Sequence, residues 1–185
     1  MNGVPVISIL TVLPFLGGLV LAGFSPKRCR AARGCALAFG VAALGFAAWI
    51  WSRFDPALGS LQFEEVHRWI PSLGIQYHVG LDGLGLILVL LTAIVTLMAM
   101  LASWNIQDRA PLYFALILFL QAGLFGAFTA LNFFHWFIFW ELSLIPAFFL
   151  IKLWGGPSRT IAATQFFIYT ITGSVALLLA FLAIF

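Results

Sequence analysis

Residues 133–150 read FFHWFIFWELSLIPAFFL and place a single carboxylate, Glu141, among aromatic and aliphatic side chains. The stretch is too long and too apolar for a surface segment, and its neighbours share the character. Over the whole chain 63% of residues are hydrophobic and 8% are charged, and the mean hydropathy is +1.11. A soluble domain of 185 residues needs far more polar surface than this, so the solvent for most side chains is lipid.

A hydrocarbon core of roughly 30 Å takes about 20 residues of helix. Six apolar runs of that order are expected as spans, at residues 4–24, 34–54, 82–103, 111–131, 133–153 and 160–185, forming one transmembrane domain over 1–185. Barrel strands are about half as long and alternate apolar with polar residues. The class is therefore all-α, a polytopic integral membrane protein with six transmembrane helices. The fourth and fifth runs nearly meet at Asn132, but together they are far too long for one span.

The connectors set the orientation. Lys27, Arg28, Arg30, Arg33, Arg109, Lys152 and Arg159 fall on one side of the expected spans, and Arg53 and Arg68 on the other. The excess of Lys and Arg marks the cytoplasmic side, which puts both chain ends outside. The opening MNGVPVIS has no basic residue, unlike the n-region of a cleaved signal peptide. Topology accounts for the charge of KRCRAAR (27–33), so no nucleic-acid partner is expected.

The external loop 55–80 is mixed in character. Phe63, Val66, Trp69 and Ile70 are expected at the bilayer surface, and Ile75, Tyr77 and Val79 alternate as in a short strand. Glu64, Glu65, His67 and His78 match no established metal-ligand spacing and read as ordinary exposed loop residues. Cys29 and Cys35 read as reduced thiols at the cytoplasmic end of the second helix. No haem, iron-sulfur or nucleotide motif occurs, so no cofactor and no metal site are expected in this chain.

Glu141 lies about 12 Å along its helix from Phe133, near the bilayer midplane. Phe137, Ile138, Leu144 and Ile145, its neighbours three and four positions away, cannot neutralise it. Insertion scales set roughly 2.5–3.5 kcal/mol against comparable ionised residues at a helix centre. A carboxyl in hydrocarbon is drawn to its neutral form by desolvation and to its charged form by a nearby cation. A group between those two influences exchanges protons, so Glu141 is the candidate proton-transfer residue, the alternative being a permanently protonated acid hydrogen-bonded across a helix interface.

Other residues extend this site. Lys152 shares the face of Glu141 about 16 Å further on, as a proton feed from the cytoplasmic end or a snorkelling anchor. Pro146 leaves the carbonyl of residue 142 without its usual donor. Gln165, Tyr169 and Thr172 align on one face of the sixth helix, for packing or for a file of water. Gln121 reads as a packing polar residue, His135 as structural, and Ala36, Gly40, Ala43 and Ala47 as close-packing positions.

WELSLIP (140–146), then WGGPSRTIAATQFFIYTITGS (154–174), with GLDGLG (80–85) opening the third helix, form a long spaced pattern. By this pattern the chain resembles the antiporter-like proton-pumping membrane subunits of respiratory complex I, in particular their chain M branch. The likeness covers nearly the whole chain, though the family usually has Ser where Gly85 stands here. It implies that Glu141 matches the family's essential acid and Asp82 the acid of the GLDGLG motif. For Asp82 a helix N-cap role is also a sufficient reason. It makes Pro146, Gly155, Gly156 and Arg159 parts of a structural motif. It also implies a non-redox role in an NADH:quinone oxidoreductase, with FMN, iron-sulfur clusters and quinone in partner subunits. The expected partners are other membrane-arm subunits and the lipid bilayer, and the expected location is the bacterial inner membrane. The downstream lysines to which the family couples this acid are not in this sequence, so the chain alone is expected to be inactive. An Mrp-type cation/proton antiporter subunit and a non-transporting structural or assembly fragment are the alternatives.

Overall fold

The computed structural model describes residues 5–70 and 75–184. The expected ends of the first and last spans, Val4 and Phe185, lie outside them. Six helices follow the apolar runs: α1 (Val6–Ala22), α2 (Cys29–Arg53), α3 (Gly83–Ala102), α4 (Ala110–Thr129), α5 (Phe133–Trp154) and α6 (Arg159–Ile184). Between α2 and α3 stand two strands, β1 (Gln62–Ile70) and β2 (Ile75–Leu81).

Five of these helices, α2 to α6, are long and apolar enough to cross a membrane. The expected first span is shorter than read. With 17 residues, α1 reaches about 26 Å, at the low end of the spanning range. The second begins earlier than expected, at Cys29 rather than residue 34. Arg30 and Arg33 continue the helix into the polar region, and Arg33 Nη2 donates to the Ile106 carbonyl at 2.9 Å, with the guanidinium 5.8 Å from the Trp104 ring centroid.

Local chemistry sets several boundaries. Asp82 caps α3, its Oδ1 accepting from Gly85 N at 2.6 Å, which realises the N-cap role read from the sequence. Asn132 separates α4 from α5 and caps α5, accepting from Phe134 N at 2.9 Å. The turn after α5 depends on Gly155, where a Cβ would lie 2.4 Å from the Ile151 carbonyl oxygen. Arg159 Nη1 closes that turn onto the Leu153 carbonyl at 3.0 Å.

Helix α4 is the centre of the bundle and packs against α1, α2, α3 and α5. It is hydrophobic on nearly every side, as a helix buried all round must be. Its narrowest contact is with α5, where Gly123 faces Ser143 and Gly126 faces Phe139. Ala36, Gly40, Ala43 and Ala47 are all buried in α2. They bring it close to α3, where Gly40 sits against Met100 and Leu97. Two apolar clusters form the core, one around Ile7, Leu10, Val89 and Phe125, the other around Leu21, Met100, Phe114 and Leu118.

The turns divide between two ends. Cys29 Sγ contacts the Gln107 carbonyl and Trp154 Nε1 donates to the Asp108 carbonyl, so the α1–α2, α3–α4 and α5–α6 turns meet at the basic end. The opposite end carries an antiparallel β1–β2 hairpin. Phe63, Val66, Trp69 and Ile70 belong to a strand paired with the segment whose alternation predicted β2, and Val66 and Trp69 remain exposed on it. An isolated bridge from Val79 to Ala130, and Leu131 N donating to the His78 carbonyl at 3.0 Å, join the hairpin to the α4–α5 turn.

Candidate functional site

Helix α5 is held at its start by the Asn132 cap and runs through Pro146 to Trp154 without interruption. This carries Glu141 to the middle of the helix, on the side turned to α6. Around it lies a groove of about 340 Å³ lined by Phe137, Ile138, Leu142, Leu144, Ile145, Phe167 and Ile171. Apart from the carboxylate, every side chain in that lining is hydrocarbon. Glu141 Oε1 is buried, and among the described residues it has no hydrogen-bond partner.

No cation compensates the acid within the described residues, where the one ion pair is His78 with Glu64, 2.5 Å apart in the hairpin. The Ser143 hydroxyl is committed to the Trp140 carbonyl at 2.7 Å. Lys152 is exposed near the basic end, with its ammonium 5.2 Å from the Phe148 ring centroid. Pro146 is buried one turn beyond Glu141, so the carbonyl of residue 142 lacks its regular helical donor.

Gln165, Tyr169 and Thr172 are all exposed, Tyr169 at 75%. They share one face, as their spacing predicts, but none of them lines the groove around Glu141, to which α6 contributes Phe167 and Ile171. The structure thus separates the three polar residues from Glu141. Gln121 is fully buried in α4, and neither polar atom of its amide has a partner among the described residues.

At the hairpin end the sequence reading missed a second buried acid. Glu65, expected in an exposed loop, is 9% exposed. Its Oε1 accepts from Ile7 N at 2.6 Å and Ser8 N at 3.3 Å, and its Oε2 accepts from Ser8 Oγ at 2.5 Å. The Tyr77 hydroxyl lies 2.7 Å from Ser8 Oγ. Burial pushes the Tyr77 phenol up, the Ser8 hydrogen bond draws it partly back, and Glu65 adds to the rise. His135, 3% exposed, meets the Tyr77 ring edge-on at 4.9 Å and stacks on Phe139, two residues before Glu141.

Residues 130–185 match the transmembrane family described as NADH:quinone oxidoreductase/Mrp antiporter. The chain is 39% identical to F(420)H(2) dehydrogenase subunit M of Methanosarcina mazei, over 98% of its own length and 36% of that protein. It is 38% identical to an NAD(P)H-quinone oxidoreductase chain 4 of Picosynechococcus, over 97% of its length and 33% of that protein. In fold it is similar to a chain of respiratory complex I from Thermus thermophilus, with a TM-score of 0.82 at 24% identity, covering 95% of this chain and 35% of that one. A chain of the Mrp complex from Dietzia gives 0.78 at 21% identity, covering 94% and 19%. The resemblance read from the sequence stands: the chain is an integral membrane protein similar to antiporter-like membrane subunits, and it spans about a third of the length of the curated relatives it matches.

Proposed function

We propose, from its likeness to antiporter-like membrane subunits of quinone oxidoreductases, that this chain supplies the N-terminal part of a proton-translocating membrane-arm subunit. Glu141 takes up and releases the proton, and electron transfer takes place on FMN, iron-sulfur and quinone groups held by other subunits. The observation that carries this reading is the Glu141 carboxylate, whose buried oxygen has no hydrogen-bond partner among the described residues and sits in a hydrocarbon groove at mid-helix. A purely structural acid gains nothing there, because hydrocarbon neither solvates nor pairs it. An acid that alternates between neutral and charged forms uses that environment, which makes its proton affinity depend on whatever charge comes near.

The basic end, with seven of the nine Lys and Arg residues, then faces the cytoplasm and the hairpin faces outward. Lys152 anchors the cytoplasmic end of α5. The outward polar face of α6 meets protein rather than lipid in the assembled subunit.

The test is Glu141→Gln in the complete membrane complex, with assembly, quinone reduction and proton translocation followed together. The substitution is expected to leave assembly intact and to abolish or strongly reduce translocation. An assembled complex that still pumps at full coupling refutes the assignment and favours a structural or assembly role. The matched family includes Mrp antiporters, which gives the antiporter reading its own support. Sodium-dependent proton flux without NADH oxidation distinguishes it.

A further inference from the structure

We infer that Glu65 is a clamp that fastens the hairpin to the first helix, and that the hairpin thereby braces the turn from which the Glu141 helix starts. The first residues of a helix leave backbone N–H groups without intrahelical partners. In α1 the N-cap is Pro5, whose side chain offers no acceptor, and the N–H groups of Ile7 and Ser8 go to Glu65, nearly sixty residues away. Its carboxylate is a charge-assisted acceptor at the positive end of the helix dipole. The Ser8 hydroxyl, bonded to the same carboxylate and to Tyr77, draws the second strand into the contact.

The backbone around Glu65 is shaped for this contact. Between Gln62 and Glu65 the pairing of β1 with β2 slips, three steps on one strand opposing two on the other. Phe63 there adopts φ +54°, a left-handed conformation that a bulky residue rarely takes. A bulge re-aims the side chains that follow it, and here Glu65 turns inward while Glu64 turns outward to pair with His78.

From the clamp, contacts run to α5. Val79 bridges to Ala130, His78 accepts from Leu131 N, and Tyr77 meets the buried His135. The hairpin therefore ties α1, the α4–α5 turn and the first turn of α5 together, and β2 leads directly into the Asp82 cap of α3. This inference stands on the hairpin geometry and does not depend on the role proposed for Glu141.

Hydrogen exchange read by mass spectrometry on the full chain in lipid nanodiscs tests it. Glu65→Ala is expected to speed exchange at least tenfold in three places, the start of α1 (6–8), β2 (75–81) and the α4–α5 turn (130–136). Mid-helix α3 and α6 are expected to be unchanged. Glu65→Gln keeps an acceptor oxygen for the two amides and is expected to fall between Ala and the natural residue. Tyr77→Phe, which removes the Ser8–Tyr77 contact alone, supplies a milder variant should Glu65→Ala fail to fold, and is expected to loosen β2 and the turn together. Faster exchange confined to residues 6–8, or Tyr77→Phe leaving the turn unaltered, reduces Glu65 to a local cap and overturns the brace. No change in any segment overturns the clamp as well.

Discussion

Gly126→Ala tests how closely α4 and α5 must approach. A Cβ at Gly126 would stand 1.9 Å from Phe139 Cδ1, 2.3 Å from Cγ and 2.5 Å from Cε1. Carbon atoms in contact sit about 3.5–4.0 Å apart, so roughly 1.5–2 Å of displacement is needed. The ring cannot simply swing aside, because it stacks on the buried His135 at a centroid distance of 4.6 Å. The two helices are close-packed along this face, because a Cβ placed at Gly123, three residues earlier, would likewise come within 3.1 Å of the Ser143 backbone. Overpacking of this kind costs about 1–3 kcal/mol, and the upper half of that range is expected here. The assay is equilibrium unfolding of the purified chain in mixed micelles, with Gly173→Ala as control. A Cβ at Gly173 meets nothing within 4 Å, so the control is expected to be neutral or to gain up to about 1 kcal/mol from helix propensity. Equal stability of Gly126→Ala and the natural chain would refute this account of the α4–α5 contact.

Asp82→Ala is expected to cost about 1 kcal/mol, with faster exchange confined to the first turn of α3; unchanged exchange there contradicts the cap. Gln121 carries a buried amide that is unpaired among the described residues, and desolvation of such a group weighs about 1–3 kcal/mol against folding. Gln121→Leu is accordingly expected to hold or raise the unfolding midpoint, and a loss above about 1 kcal/mol shows that the amide has partners. The folded chain holds the Tyr77 phenol above its ordinary value of 10.0. The neutral phenol therefore supports the hairpin fully below the unfolded pKa, and that support is lost as pH rises through the higher folded one. Alkaline titration followed by hydrogen exchange is expected to loosen residues 75–81 in the natural chain but not in Tyr77→Phe, and equal loosening in both contradicts it.

Legibility in the sequence followed the physics of each signal. Long apolar runs are read directly, because hydrocarbon thickness sets their length, and Asp82 marked a helix start through a side chain suited to capping, whereas the cap at Asn132 emerged only in the structure. Glu141 stood out because an acid in lipid needs a reason wherever its partner lies. Glu65 did not stand out, because its burial is produced by pairing with Tyr77's strand and by the bulge at Phe63, which resets the two-residue phase on which a strand reading depends. The start of α2 was read late because Arg30 and Arg33 look like loop residues until the Ile106 carbonyl and the Trp104 ring are brought beside them. The face shared by Gln165, Tyr169 and Thr172 was legible from helical period, but its direction was not, since period fixes a face and tertiary packing turns it.

The central position of α4 bears on how the chain is assembled in the membrane. Helices leaving the insertion machinery in chain order place α1, α2 and α3 in the bilayer before their common partner exists. Until α4 arrives, the α1 glycines Gly17 and Gly18 lack the Leu118 and Phe119 side chains that cover them. When α4 does enter, its Gly123–Gly126 face waits in turn for α5. Helices α1 and α4 thus pass through an interval in which a close-packing surface is bathed in lipid. The order of synthesis, and not only the final energy, sets how long the buried amide of Gln121 must wait for its surroundings.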